Sequence, residues 1–238
     1  FGLYGACSTC GEALSLASMT VAAGYADNVI AEASSHYGSA EKQFRFPLEY
    51  GNQRPYSATW TVTGCGAVIV SSGDCRGKEA PLAKITAVTT GKIVDMDFHD
   101  SMNMGAAMVM AALDTIVRNF RDLGVDETHY DQIITGDLGT VGRRLLLDYL
   151  MQAGYRIESR YMDCGIEMFS PEEQDTHAGG SGCGCSAAVL CGYILPKLQS
   201  GEWKRVLFLP TGALLSTVSF NEGKSVPGIA HAVVLEVS

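Results

Sequence analysis

The sequence is poor in basic residues, and this shortage excludes one broad class of function. Its 238 residues contain 17 Lys and Arg against 26 Asp and Glu, for a formal net charge of -9 at pH 7. No block of consecutive basic residues occurs along the chain. Proteins that bind nucleic acid neutralise phosphates with such blocks, so we predict no nucleic-acid partner. Small molecules or other proteins are the expected partners.

Long apolar runs are also missing. The longest run of small apolar residues, at positions 13–23, is interrupted by Ser15, Ser18 and Thr20. A membrane-spanning helix needs about 20 predominantly apolar residues, so we predict no transmembrane segment. The chain begins at Phe1 without an initiator Met or a basic targeting region, and we expect it to be the later part of a longer protein. Its 47% of hydrophobic residues still suffices for a large core.

Cysteine pairs with metal-binding spacing are scarce as well. The eight cysteines lie mostly in apolar or glycine-rich stretches, at positions 7, 10, 65, 75, 164, 183, 185 and 191. Cys7 and Cys10 form a C-x-x-C pair, but no second pair follows until Cys183 and Cys185. Structural zinc sites need two pairs at a shorter separation. We therefore predict reduced thiols, no metal site and no cofactor.

What the chain does contain is an internal repeat. Residues 24–30 align with residues 201–207 without a gap, and each segment links a helix rich in small residues to a short strand. We predict the helices at 8–23 and 186–198, the short strands at 28–33 and 205–209, and a later strand of each copy at 66–70 and 231–235.

The two copies differ in length. The second has further elements before its glycine-cysteine turn, with strands predicted at 83–90 and 132–135 and helices at 105–123 and 141–153. The first lacks this segment, so we divide the chain into an incomplete first repeat, residues 1–80, and a complete second repeat, residues 81–238. Helices alternating with apolar strands predict an α/β fold with largely parallel strands covered on both faces.

Cys7 stands at a turn that leads into the first helix. The run Gly5-Ala6-Cys7-Ser8-Thr9 follows a strand predicted to end near Tyr4, so the thiol would face the free N–H groups of a helix N-terminus. Such a position lowers a thiol pKa and attracts anions. Alternatively, Cys7 is only a small residue required by a tight turn.

This turn, inside a duplicated α/β unit whose first copy closes with residues 63–68, resembles the thiolase and ketoacyl-synthase superfamily. Within it, the sequence is similar to the stage V sporulation protein AD family. The resemblance covers nearly the whole chain and is carried by residues 5–9, 34–36, 40–45, 49–51, 135–138, 163–165, 178–183 and 211–216. It implies a thiolase-like fold with layers in the order αβαβα.

Active condensing enzymes of the superfamily pair the cysteine with two further groups, His and His or His and Asn, that stabilise the oxyanion. The resemblance places Asp137 and Ser181 at these two positions. An ionised Asp137 would repel a developing oxyanion, and neither His177 nor the other histidines matches the motif. We therefore interpret the chain as a binding protein rather than an enzyme.

The resemblance further implies that the ligand is dipicolinic acid, pyridine-2,6-dicarboxylate, loaded into the developing spore with partner sporulation membrane proteins. Cys7, His36, Arg45, Asp137 and Ser181 are the predicted ligand-binding residues, with His36 and Arg45 as partners of the ligand carboxylates. The protein would then lie peripherally at the inner spore membrane. A homodimer through residues 29–33 is a further assembly that the superfamily suggests.

Two alternatives remain open. A 3-oxoacyl synthase-like, acyl-transferring condensing enzyme would use Cys7 as nucleophile with a base that the motifs do not identify. A structural subunit would have an empty pocket and bind only its membrane partners.

Overall fold

In a computed structural model of the protein, residues 1–44, 54–73 and 81–237 are described. Their α-helices are α1 (Thr9–Ala22), α2 (Tyr37–Phe44), α3 (Met104–Leu123), α4 (Gly139–Gln152), α5 (Cys164–Glu167), α6 (Pro171–Gln174), α7 (Cys183–Val189), α8 (Leu195–Gln199) and α9 (Thr217–Asn221). Their strands are β1 (Asn28–Ser35), β2 (Trp60–Thr61), β3 (Gly64–Ser71), β4 (Lys84–Thr89), β5 (Gln132–Thr135), β6 (Tyr161–Asp163), β7 (Gly180–Ser181), β8 (Arg205–Leu209), β9 (Thr211–Ala213), β10 (Gly228–Ala230) and β11 (Ala232–Glu236).

The largest described sheet has five strands in the order β4-β11-β8-β5-β6. Strand β5 is parallel to β6 and β8, whereas β11 is antiparallel to β4 and β8. The expectation of largely parallel strands is therefore wrong for β4, β11 and β8, where β11 runs antiparallel to both of its neighbours. The parallel pair β5 and β6 is joined through helix α4, and parallel neighbours require such a crossover.

The five-stranded sheet is buried on both faces, as its continuous apolar strands predict. Ile133 of β5 packs into one hydrophobic cluster with Phe120 of α3 and Leu146 of α4. Its neighbour Ile134 points to the opposite face and packs with Leu14 of α1. Successive residues of a strand alternate between faces, so each β5 side chain joins a different core.

Helix α1 packs against β1 of the two-stranded sheet β1-β3 and against β11 of the five-stranded sheet, so it lies between the two sheets. Strands β1 and β3 pair antiparallel along eight residues of each strand. A Cβ atom added at Gly11 of α1 would lie 2.9 Å from the carbonyl oxygen of His231, and one at Gly66 of β3 would lie 2.4 Å from that of Ala187. Glycine is thus required at Gly11 of α1 and at Gly66 of β3 because neighbouring backbones approach closely. The repeat limits at residues 80 and 81 stay a prediction.

Helix α3 ends where its sequence predicts. The side chain of Asn103 accepts a hydrogen bond from the Ala106 N–H at 3.3 Å, and Gly124 adopts a left-handed conformation, with φ of 67°, after the last turn. The predicted helix 186–198 is instead divided into α7, a π-helical turn at Leu190–Ile194, and α8.

None of the helices among the described residues is long and apolar enough to cross a membrane.

Candidate functional site

The turn before α1 is held in a strained conformation by its own side chains. Ala6 has φ of 50°, in the left-handed region that residues other than glycine rarely adopt. The Thr9 hydroxyl donates to the Ala6 carbonyl at 2.7 Å and accepts from the Gly5 N–H at 3.0 Å. The Ser8 hydroxyl donates to the Gly5 carbonyl at 2.6 Å. These bonds hold Cys7 at the start of α1. The prediction of a strand that ends near Tyr4 is wrong, since residues 1–4 form no strand.

Cys7 lines a cavity of about 450 Å³. The cavity is bounded by the turn, by β1, by residues 58–61, by the loop before α3 and by the loop between β7 and α7. Its lining is composed of Leu3, Tyr4, Ala6, Cys7, Thr9, Glu32, Ala33, Ser34, Ser35, Ala40, Ala58, Thr59, Thr61, Ser101, Met102, Met104, Ser181, Gly182, Cys183, Ala213 and Leu215. Hydroxyls and apolar side chains dominate it, and its described residues include no Lys, Arg or His.

Asp137 lies behind this lining, at the carboxyl end of β5, and is only 1% exposed. One carboxylate oxygen, Oδ2, accepts from the Gly182 N–H at 2.9 Å, and the other, Oδ1, accepts from the Thr211 hydroxyl at 2.9 Å. The Cys7 thiol lies close enough to this carboxylate for the negative charge of Asp137 to raise the pKa of the thiol. Burial raises the pKa of Asp137 to about 6.

Cys7, Asp137 and Ser181 come together at this position. The Sγ atom of Cys7 lies 4.0 Å from the Oγ atom of Ser181. Burial, followed by the negative charge of Asp137, raises the pKa of Cys7 well above its ordinary value. The prediction that the helix N-terminus lowers the pKa of this thiol is therefore wrong, because desolvation and a neighbouring carboxylate outweigh the helix dipole.

Of the two residues predicted to bind the ligand carboxylates, the structure describes only His36. His36 is exposed, lies outside the cavity lining and accepts the Gly38 N–H at its own Nδ1 atom, at 3.1 Å. Arg45 lies outside the described residues. Their roles as ligand partners stay predictions.

A second buried carboxylate, Asp163, was missed as a site residue in the sequence. Its side chain accepts four hydrogen bonds, from the N–H groups of Leu138, Gly139 and Ile166 and from the Thr135 hydroxyl, at 2.9, 3.1, 3.2 and 2.6 Å. Burial raises the pKa of Asp163, and its charge contributes to the raised pKa of Asp137. The sequence offered only the family resemblance of residues 163–165 at this position. The structure shows that Asp163 ends a strand parallel to β5 and therefore shares its carboxyl edge.

No group of three His, Cys, Asp or Glu side chains in the described part of the chain is arranged to hold a metal ion. The seven cysteines within that part are free thiols.

Residues 1–236 match the sequence model of the family described as Stage V sporulation protein AD. The chain is also 44% identical over 236 residues to the Stage V sporulation protein AD of Bacillus subtilis (strain 168), a match that covers 98% of this chain and 67% of that protein. The chain belongs to the stage V sporulation protein AD family. This membership makes it a sporulation protein.

Solved structures show the fold of this family member. A 3-oxoacyl-(acyl carrier protein) synthase III from Pseudomonas aeruginosa PAO1 superposes with a TM-score of 0.60 at 14% identity, over 99% of this chain and 66% of that one. The corresponding synthase III from Aquifex aeolicus VF5 gives 0.58 at 14% identity, over 100% and 67%. Acat5 thiolase from Ascaris suum gives 0.56 at 12% identity, over 98% and 78%. The predicted thiolase-like α/β fold is confirmed.

Proposed function

We propose that this protein binds dipicolinic acid without performing condensation chemistry, and takes part in dipicolinate uptake into the developing spore. The observation that carries the proposal is the setting of Cys7, whose Sγ atom lies 4.0 Å from Ser181 Oγ and whose pKa is raised by burial and by the charge of Asp137. A thiolate nucleophile needs a lowered pKa or a nearby base. Here burial and a carboxylate keep the thiol protonated at neutral pH. Ser181 stands at the other position where the resemblance implies a catalytic group.

The cavity supports a small aromatic ligand with polar edges. Its volume of about 450 Å³ falls in the range of small-molecule sites. Met102, Met104 and Leu215 offer apolar surface to a ring, and the hydroxyls of Thr61 and Ser181 offer hydrogen bonds. A dianion also needs positive charge. Arg45 and His36 remain our candidates for that role.

We further propose, from the family resemblance, that the protein acts at the inner membrane of the developing spore together with membrane proteins of the same uptake system. A homodimer through β1 is part of this proposal. Among the described strands β1 pairs only with β3, so its second edge is available for such a contact.

Calorimetric titration of dipicolinate into the purified protein tests the ligand. We expect saturable binding, weakened at least tenfold by Arg45→Ala because a carboxylate would lose a charged partner. Arg144→Ala is the matched control, since Arg144 is exposed on α4 and is not among the cavity-lining residues. Absence of binding at millimolar dipicolinate would overturn the proposal. Equal weakening by both variants would remove Arg45 from the site while leaving the ligand in place.

A further inference from the structure

Three chain segments that border the cavity meet at the end of β1. One is that strand end, at Ser35, another is β2, with Thr61, and the third is residues 181–184, which we call the α7 turn. Ser35, Thr61 and the first three residues of the α7 turn all line the cavity. The α7 turn carries Ser181, so its position decides where the hydroxyl beside Cys7 lies.

The side chain of Ser35 joins all three segments. Its hydroxyl donates to the carbonyl oxygen of Val62, directly after β2, at 2.7 Å. The same hydroxyl accepts from the N–H of Gly184, the last residue of the α7 turn, at 3.1 Å. A serine hydroxyl has a single proton to donate. Because this proton is directed at Val62, the hydroxyl holds the cavity walls together rather than donating to a ligand.

The peptide groups of Val62 are held from both sides. The Val62 N–H donates to the carbonyl oxygen of Ser181 at 2.8 Å, while the Val62 carbonyl accepts from Ser35. Val62 is buried, so solvent does not readily replace a lost partner of its carbonyl group. A shift at Ser35 therefore reaches Ser181 by two routes, through Val62 and through Gly184.

The backbone of the α7 turn packs directly on the Ser35 hydroxyl. A Cβ atom added at Gly182 would lie 2.7 Å from the Oγ atom of Ser35, and one added at Gly184 would lie 2.5 Å from it. Gly182 also has φ of 106°, a conformation that residues with a side chain rarely adopt. The two glycines thus allow the close approach that the hydrogen bond from Gly184 requires.

We propose that Ser35 is a positioning residue, whose hydroxyl holds the α7 turn and the end of β2 together and thereby fixes the Ser181 hydroxyl in the ligand cavity. The effect on the α7 turn does not depend on a ligand. The effect on ligand affinity rests on the proposed dipicolinate function.

Hydrogen exchange of a peptide covering residues 181–186 tests the effect on the α7 turn. Ser35→Ala is the informative variant, because it removes both hydrogen bonds and adds no atom that could clash. We expect about threefold to tenfold faster exchange than in the parent protein, since the Gly184 N–H loses its acceptor. Unchanged exchange in this peptide would overturn the proposal.

Ser71→Ala is the matched control. Ser71 lies at the opposite end of the β1-β3 pair, where its hydroxyl donates to Oδ1 of Asn28 at 2.7 Å. Among the described residues, those that line the cavity do not include Ser71. We expect this variant to leave the exchange of residues 181–186 and the dipicolinate affinity unchanged. An increase in exchange equal to that of Ser35→Ala would overturn the proposal, since it would reflect a general loss of stability.

Dipicolinate titration of the same proteins gives the second readout. Ser35→Ala should weaken binding about threefold to tenfold. Ser35→Thr and Ser35→Val form a further matched pair, because their side chains have similar volumes and only threonine has a hydroxyl. We expect the threonine variant to bind at least about three times more tightly than the valine variant. Equal affinities of these two variants would overturn the proposal, since they would show that the hydroxyl is not needed.

The two readouts separate this proposal from the proposed function. Faster exchange in Ser35→Ala with unchanged dipicolinate affinity would refute the link between the α7 turn and the ligand. Absence of dipicolinate binding in the parent protein would refute the proposed function alone, because the exchange result does not depend on it.

Discussion

The Sγ atom of Cys7 lies 4.0 Å from the Oγ atom of Ser181, and both side chains face the same cavity. Asp137 lies behind them, with its carboxylate bonded to the Gly182 N–H next to Ser181. A thiol with a raised pKa, a hydroxyl and a buried carboxyl group therefore lie together at the wall of the cavity.

Asp137→Asn should stabilise the protein at alkaline pH. The folded state raises the pKa of this carboxyl from 3.8 to about 6, so it binds the proton more tightly than the unfolded chain does. Stability therefore falls as the pH rises from about 4 through 6, and the isosteric amide removes this cost. Denaturant unfolding should show a gain of about 1–3 kcal/mol at pH 8 that disappears near pH 4.

Asp148→Asn, on the exposed face of α4, is the control for that experiment and should have little effect. A loss of stability in Asp137→Asn that is equal at pH 4 and pH 8 would show that its hydrogen bonds matter more than its charge.

Asp163→Asn should have the opposite effect, although it is the same chemical change. Three backbone N–H groups and one hydroxyl donate to Asp163. An amide has one acceptor oxygen, and its NH₂ group would face donors that cannot rotate away. We expect a loss of about 2–4 kcal/mol at pH 7, measured as a lower denaturation midpoint. A neutral result would mean that the loop after β5 does not depend on this carboxylate.

Cys7 should be a slow nucleophile. At pH 8, alkylation by iodoacetamide should reach the exposed Cys65 at least ten times faster than Cys7, whose pKa is raised by burial and by Asp137. Peptide mass spectrometry separates the two sites. Intact mass measurement after incubation with acyl-CoA thioesters should likewise show no acyl adduct. An adduct that Cys7→Ala abolishes would favour the condensing-enzyme alternative.

Gly66→Ala tests the close packing between β3 and α7. The new Cβ atom would lie 2.4 Å from the backbone oxygen of Ala187, so the strand or the helix must move. We expect a loss of about 2–4 kcal/mol in thermal or denaturant unfolding. Gly192→Ala is the control, since among the described residues no heavy atom outside its own helical turn lies within 4 Å of its added Cβ atom. Equal stabilities of the two variants would contradict the close approach.

The sequence predicted the longer elements close to their observed positions, namely α1, α3, α4, β1, β3, β4, β5, β8 and β11, but it did not predict short ones such as α5, α6, α9, β2 and β6. Strand β5 was predicted at residues 132–135, as observed, and α3 begins one residue earlier than expected. Strand direction was predicted less well. The apolar residues of β11 are the same whether it runs parallel or antiparallel, and only its pairing with β8 decides between the two.

The sequence by itself determined the family and the α/β class, since these depend on residue identity in order along the chain. Only the tertiary structure decided that the pKa of Cys7 is raised and that four hydrogen bonds hold the Asp163 carboxylate. A pKa depends on solvent exclusion and on charges brought close by folding. Asp137 is 130 positions from Cys7 in the sequence, and its charge acts on the thiol only in the folded chain.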